Sequence, residues 1–446
     1  MTNKVPEWAH ITSTDPTTRD LGGHRIRLGT AGGRTYASED FRPVLVLGPQ
    51  RSYKTSGFAV PSLLEWEGPA LVTSVRRDIL DQTYHHRSKV GKVHVFDPAG
   101  SLRNTPYNGL RHSWDILYHC KDWDESVRTG RSLTEARGVR GLSDADFWFS
   151  LAAQLIAPHL FAAARSGQSM RKVVEWIKTQ EEFEVRSILQ GTGNEASVRA
   201  AESVWQREDK AKSSVYSTAE SALRVFDYES LSVDEAPFLD IDRFLASPSD
   251  TLYICAPPDQ QEEYCDVFTA LVRTVISGAY TKNLAILDSL ADAALERKDS
   301  AQEQAEKLCP LLVLLDEAGN IAALDNLSTL ATTAAGTHIQ LVSIFHDLSQ
   351  MQGVYTIFPA RSIVNNHSAL MVLPGSRDDE TLGFVENLLR GERIANTQEG
   401  TWNSPRYIRS LERGTALLIY ENTRPIVLRL RSLFNNEKLK KLSQGE

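Results

Sequence analysis

Apolar positions along the chain fall into two kinds of run. Short unbroken ones, Pro43 to Leu47, Ala70 to Val75 and Lys92 to Phe96, are separated by segments long enough for a helix and a crossover, which predicts βαβαβ organisation. Strands this apolar, without a polar alternate, are expected where helices cover both faces of a parallel sheet. From Leu133 to Phe226 the period changes. Ala145 to Ala164, Met170 to Thr179 and Ser197 to Phe226 repeat apolar residues at helical spacing, and strand-like runs become scarce. Strand-like runs return at Thr251 to Ala256, Leu311 to Leu315, Gln340 to Phe345, Ala369 to Leu373, Ala416 to Tyr420 and Ile426 to Leu430. The pattern predicts an α/β fold whose sheet is interrupted by an all-α insertion and then resumed. Its divisions are a lead-in over residues 1–40 with a short strand from His24 to Leu28, a first sheet segment over 41–130, the insertion over 131–245, a second sheet segment over 246–433, and a polar tail over 434–446.

Composition bounds this picture. The 446 residues are 41% hydrophobic and 24% charged, which excludes wholesale disorder, a collagen-like fibre and a small disulfide scaffold. A net charge of -8 argues against a surface that coats nucleic acid throughout and leaves room for a local basic channel. Cys120, Cys255, Cys265 and Cys309 lack zinc-type spacing and fit a reducing compartment. No stretch approaches the length of an apolar membrane span, and the polar N-terminus lacks the layout of a signal peptide. The expected location is the cytoplasm, or the cytoplasmic face of a membrane through a partner. The run Asp288 to Lys307 is rich in charge and reads as an exposed helix or a mobile loop.

Candidate chemistry concentrates after the first core strand, in VLVLGPQRSYKTSGFAVPSLL, residues 44–64. A phosphate-binding loop needs a glycine at its tight turn, backbone amides aimed at phosphate, a lysine reaching the terminal phosphates and a hydroxyl for magnesium. Gly48, Lys54 and Thr55 occupy those places, and Pro49, Gln50, Arg51, Ser52, Tyr53 and Ser56 complete the nucleotide-binding segment. A helix opening near Lys54 adds the positive end of its dipole. Tyr53 stands where such loops usually have a second glycine, so a strained backbone or a crowded nucleotide is expected there.

Two further elements follow buried strands. In LLVLLDEAGNI, residues 311–321, Asp316 is placed to hold magnesium and Glu317 to polarise attacking water; the bland alternative is an acidic helix start. In VSIFHDLSQM, residues 342–351, His346 leaves a strand where a polar group can sense a terminal phosphate, with Gln350 one helical turn on; a helix cap at Asp347 and a surface Gln350 are the bland alternatives. Trp123, Trp148, Phe149, Trp176 and Trp205 read as helix packing and not as base-stacking groups. Asp78, His85 and His86 do not make a complete metal-ligand set.

The order of these motifs resembles the conjugative coupling ATPases, the TraG/TraD-type proteins of type IV secretion within the RecA-like and FtsK-like P-loop motors. EWEGPALVTSVRRDILDQTYHHR, FDP, TPYNGL, DADFWFSLAAQLIAPHLF and MVLPGSRDDETLGFVENLLRG carry the likeness alongside the three motifs above, over most of residues 41–430. The resemblance implies a RecA-like P-loop NTPase with a mostly parallel sheet, ATP and Mg2+ as cofactors, and an ATP-driven DNA translocase or coupling protein. Its implied partners are DNA, single-stranded or bound to a relaxase, a secretion-channel or membrane-anchor protein, and other copies of the chain in a hexamer, with a monomer in isolation as the alternative. In that frame Lys54, Glu317 and His346 are the catalytic candidates, and Thr55 and Asp316 the magnesium ligands. Tyr53 replaces a glycine, Ser74 and Arg76 replace a common Asp and Lys, and His346 replaces a Gln. These departures open the alternative of a catalytically weak nucleotide-binding adaptor that recruits protein substrates.

Overall fold

The structure, a computed structural model, describes residues 11–12, 24–138, 143–228, 231, 236–257, 260–295, 308–390, 406–421 and 423–446. Twelve strands form one sheet: β1 Ile11–Thr12, β2 Arg27–Ala31, β3 Arg34–Ala37, β4 Val44–Leu47, β5 Ala70–Ser74, β6 Val93–Phe96, β7 Thr251–Cys255, β8 Leu311–Leu315, β9 Ile339–Phe345, β10 Ala369–Val372, β11 Thr415–Tyr420 and β12 Ile426–Arg429. Their order is β1-β3-β2-β12-β11-β10-β4-β9-β8-β5-β7-β6. From β10 to β6 every pairing is parallel; from β10 outward to β1 every pairing is antiparallel. The parallel part places the C-terminal ends of β4, β9 and β8 side by side, with Leu47 opposite Phe345 and Leu315 opposite Ser343.

Two apolar layers hold this sheet. Val44, Val46, Leu312, Leu314, Val342 and Ile344 point to one face, and Leu45, Leu47, Val313, Leu315 and Leu341 to the other, the period-two alternation of a pleated strand. Both sets are fully buried, and burying each Val or Leu side chain stabilises the fold by about 1.5–3 kcal/mol. The first face is covered by α1 Val60–Leu64 and α2 Asp78–Val90. Between β6 and β7 run α3 Trp123–Gly138, α4 Ser143–Ser166, α5 Met170–Thr179, α6 Phe183–Gly191, α7 Glu195–Trp205, α8 Asp209–Leu223 and α9 Ile241–Ala246. These helices share the second layer with α10 Gln261–Leu295, which follows β7. The later helices are α11 Ala318–Ile321, α12 Leu327–Thr333, α13 Leu348–Tyr355, α14 Ile357–Asn366, α15 Asp379–Leu389, α16 Arg406–Ser410 and α17 Glu437–Gln444.

Several sequence expectations need correction. The early strand lies at Arg27–Ala31, not His24 to Leu28, and forms a hairpin with β3 through Gly32 and Gly33, whose φ values of 55° and 76° suit a tight reversal. The helical period over Ser197 to Phe226 is divided between α7, α8 and a short tighter turn at Arg224–Asp227. Gln206 ends α7, and the chain turns so that α7 and α8 both pack on α4, with Trp205 Nε1 donating to the Tyr216 hydroxyl at 3.0 Å. Trp176 and Trp205 are buried, while Trp123 and Trp148 pack partly buried on the same layer. Asp288 to Leu295 continues α10; residues 296–307 lie outside the described residues. The polar tail forms α17, whose Leu439 is buried and whose Ser443 hydroxyl donates to the Gln82 carbonyl of α2 at 2.7 Å. Among the described residues one helical stretch, Phe147–Ser166, is long and apolar enough to cross a membrane, with mean hydropathy 1.4 in its best window, contrary to the sequence reading. Of that window 72% is buried against protein, as in a core helix.

Candidate phosphate-binding site

The loop from Gly48 to Lys54 connects β4 to a widened helical turn over Thr55–Ala59, which runs directly into α1. Gly48 is required by close approach: a β-carbon there would lie 2.7 Å from Ser52 Oγ and 2.9 Å from Leu373 Cβ. Ser52 in turn donates to the Pro49 carbonyl at 2.7 Å, closing the turn. Tyr53 has φ 71° and Arg51 φ 61°, so the loop uses the left-handed region at two residues that carry β-carbons. Tyr53 thus adopts the conformation expected of the missing glycine, at a cost of about 1–2 kcal/mol. Its side chain is 39% exposed and lines the mouth of the cleft described below.

β8 ends in the acidic pair. The Thr55 hydroxyl donates to Asp316 Oδ2 at 3.1 Å, and Thr73 of β5 donates to the Asp316 carbonyl at 2.9 Å, fixing the strand exit. Asp316 is buried, and its Oδ1 has no hydrogen-bond partner among the described residues. Burial, and after it the neighbouring Glu317 charge, push the Asp316 carboxyl up to about 6 against the opposing pull of Lys54 and Thr55. A buried carboxylate with one free oxygen beside a threonine hydroxyl is the oxygen donor set that suits a hard divalent cation. The residues present therefore fit magnesium.

Glu317 takes φ 58°, which turns its side chain back across the loop. Its Oε1 lies 3.8 Å from Lys54 Nζ, and its Oε2 accepts from His346 Nε2 at 2.8 Å and from Asn320 Nδ2 at 3.1 Å. Because the His346 Nε2–H donates to a carboxylate, Nδ1 presents the lone pair that accepts from the Lys54 ammonium. Burial opposes ionisation of Glu317, but the His346 hydrogen bond and the Lys54 charge together hold its carboxyl below the usual glutamate value. Burial also lowers the Lys54 ammonium, an effect that Glu317, Asp316 and Asp347 partly offset.

Behind these groups Gln350 acts as a brace. Its Oε1 accepts from the His346 backbone amide at 2.9 Å, and its Nε2 donates to Asn320 Oδ1 at 3.2 Å. Asp347 caps α13 by accepting from the Gln350 amide at 2.7 Å, so the helix that carries the brace starts at the strand exit. Of the two bland readings, the cap at Asp347 is present, whereas Gln350 is half-buried and bridges His346 and Asn320 instead of standing free on the surface.

The structure brings together Lys54, Thr55, Asp316, Glu317 and His346 around a cleft of about 540 Å³, which Gln50, Arg51, Ser52, Tyr53 and Ser56 also line. Gly48 and Pro49 do not line it; they shape the turn beneath it. Ser74, Arg76, Asp78, Gln82, Gln261 and Asn320 line the cleft as well. Asn320 was signalled by its place one helical turn after Glu317, whereas nothing local to Gln261 marks it as a cleft residue. His85 and His86 are not in the cleft lining.

A sequence model of the family described as type IV secretory system conjugative DNA transfer matches residues 3–392. The chain is 21% identical over 431 residues to protein VirD4 of Rhizobium radiobacter, covering 90% of this chain and 58% of that protein. It is 22% identical over 355 residues to protein VirD4 of Agrobacterium fabrum, covering 77% and 49%. The fold is similar to the plasmid coupling protein TrwB solved with ADP and Mg2+, at a TM-score of 0.65 and 21% identity over 88% of this chain and 86% of that one. TrwB solved with a non-hydrolysable ATP analogue gives 0.65 and 19%, over 88% and 85%. The chain thus spans about half the length of the VirD4 proteins it matches.

Proposed function

The chain belongs to the type IV secretory system conjugative DNA transfer family, and from that membership and the cleft we propose that it is an ATP-driven coupling protein that moves DNA or a nucleoprotein towards a secretion channel. One observation carries this reading: the exits of adjacent strands β4, β9 and β8 bring the loop lysine, the Glu317 carboxylate and a braced His346 into mutual contact beside a half-satisfied Asp316. Charge handling of this kind suits phosphoanhydride cleavage, where catalysis is mostly positioning and electrostatics. The likeness to TrwB solved with ADP and Mg2+ supports these cofactors for this chain.

In this reading the loop amides and Lys54 bind and orient the triphosphate. Lys54 offsets charge that develops on the transferred phosphoryl group. Asp316 and Thr55 would hold magnesium, which supplies charge neutralisation between the phosphates when bound. Glu317 orients water, and His346 keeps Glu317 and Lys54 in register with the terminal phosphate position. Residues 131–245 form the inserted domain of this scheme. The family likeness further supports a hexamer assembled at the cytoplasmic face of a membrane. Magnesium-dependent ATP hydrolysis with and without single-stranded DNA tests the proposal. The expected result is stimulation by DNA, and robust turnover indifferent to DNA would overturn it. The adaptor alternative predicts nucleotide binding, partner binding and no stimulated turnover.

Two smaller effects are expected at the same cleft. Gly at position 53 adopts positive φ without penalty, so Tyr53→Gly favours the phosphate-cradling loop over its competitors and tightens ATP-analogue binding by up to about tenfold. Titration calorimetry reads this directly, and unchanged affinity would show that neighbouring contacts hold the loop regardless. Gln350→Ala removes the brace between His346 and Asn320, so kcat is expected to fall about tenfold with little change in nucleotide affinity.

A further inference from the structure

Outside the cleft, α14 presents an unusual solvent face. Ala360, Ile363 and Val364 bury one side of this helix, which leaves Phe358, Arg361, Ser362 and Asn365, at spacings of three and four residues, along the other. Phe358 is 78% exposed, among the most exposed large apolar side chains in the chain, and Ile357 beside it is also exposed. Arg361 makes no ion pair among the described residues. The neighbouring α12 packs on α14, where Asn366 Nδ2 donates to the Ser328 carbonyl and hydroxyl at 3.1 and 2.9 Å.

Charge singles this region out. Residues 326–377 contain one acidic residue, Asp347, in a chain that carries 57 Asp and Glu in 446; at that average several would be expected in such a stretch. Asp347 is itself engaged at the cap of α13. Thus α12 and α14 are free of negative side chains although the protein as a whole is acidic. An exposed aromatic with a cation and an amide on the same helical face, on two packed helices that carry no acid, is suited to an anionic polymer whose bases stack and whose phosphates need a positive or neutral neighbour. A protein partner would be expected to meet a broader apolar patch with an aromatic and apolar centre.

We propose that the Phe358, Arg361 and Asn365 face of α14 binds single-stranded nucleic acid, with Phe358 as the stacking platform. This rests on the DNA-coupling reading and adds to it the place where the strand is gripped. The location has a mechanical consequence: α13, an eight-residue helix that is capped by Asp347, immediately after His346, and carries Gln350, leads directly from the cleft to α14. A shift of His346 on phosphate binding or release would be passed through that helix to the gripping face.

The test uses the full chain and a fluorescently labelled single-stranded oligonucleotide of mixed sequence, followed by anisotropy. Phe358→Ala is expected to weaken binding by about tenfold or more, in the range found when a stacking aromatic is truncated, and Phe358→Trp to preserve it. Arg361→Gln is expected to weaken binding and to flatten its salt dependence. Phe183→Ala, at an 84% exposed aromatic on α6, is expected to bind as wild type. Basal ATP hydrolysis and the melting temperature should be unchanged in Phe358→Ala, because that side chain is exposed and does not line the cleft. Wild-type affinity in both Phe358→Ala and Arg361→Gln would overturn the assignment of this face and leave the coupling function standing. So would a Phe358→Ala variant that altered only self-association or protein binding. A wild-type protein that hydrolyses ATP and binds no oligonucleotide would overturn the DNA-coupling reading itself.

Discussion

Replacing Lys54 by alanine is expected to lower kcat/KM for ATP by about 10³, the largest loss from any single substitution in the cleft. Lys54 is buried, and its ammonium is shared between His346 Nδ1 and the Glu317 carboxylate. Removing it takes away the only lysine among the described residues that lines the cleft and leaves two adjacent carboxylates with one counter-charge fewer. Glu317 keeps its bonds to His346 and Asn320, so its position is largely retained while its partner is lost. Arginine is not expected to rescue, because its planar fork cannot occupy the space of a compact ammonium lodged against an imidazole. Steady-state hydrolysis together with binding of a non-hydrolysable analogue checks this. A Lys54→Ala enzyme within tenfold of wild type would remove Lys54 from the proposed mechanism.

Much of this arrangement was legible from the chain because the parallel strands are fully buried. Val44–Leu47, Ala70–Ser74, Thr251–Cys255 and Leu311–Leu315 read as unbroken apolar runs for the physical reason that helices cover both their faces. The cleft residues then follow at the exits of three such strands, where spacing alone places them. The antiparallel edge was harder to read. β2 and β3 are half-exposed, contain Arg27, Gly29 and Arg34, and carry a register shift between Arg27 and Gly29, so no clean alternation marks them. The break after Trp205 was hidden because the apolar period runs on into α8; tertiary packing on α4 decides it, not local propensity. The brace through Asn320 and Gln350 spans thirty residues and depends on the positive φ of Glu317, which sequence spacing does not encode. Tyr53 was legible in the opposite sense: a residue that breaks the loop's rule pointed to a backbone angle that the fold indeed imposes.

Asp316→Asn is expected to separate stability from activity, raising the melting temperature of the metal-free protein by a few degrees while lowering ATP hydrolysis by about two orders of magnitude or more. The sign follows from linkage. An unfolded aspartate ionises near pH 4, whereas burial beside Glu317 moves Asp316 in the folded protein up to about 6. Between these values the folded state holds a proton that the unfolded state has released. Stability contributed by this group is therefore greatest at low pH, falls as pH rises through the window, and is fully lost above it. The penalty at neutral pH is about 3 kcal/mol, from roughly two pH units of displacement at a site that water hardly reaches. Asparagine keeps an oxygen for the Thr55 hydroxyl and carries no charge, so it escapes this penalty. Magnesium held by Asp316 would act in the opposite direction on the wild type, because a cation there would neutralise the charge that burial disfavours. Thermal melts with a chelator and with magnesium plus an ATP analogue, at about pH 4.5 and about pH 7.5, distinguish the cases. Wild type should gain from magnesium and nucleotide at the higher pH, and Asp316→Asn should gain little at either. A variant less stable than wild type at neutral pH without metal would show that the Asp316 carboxylate holds the strand exit by bonds worth more than its charge costs.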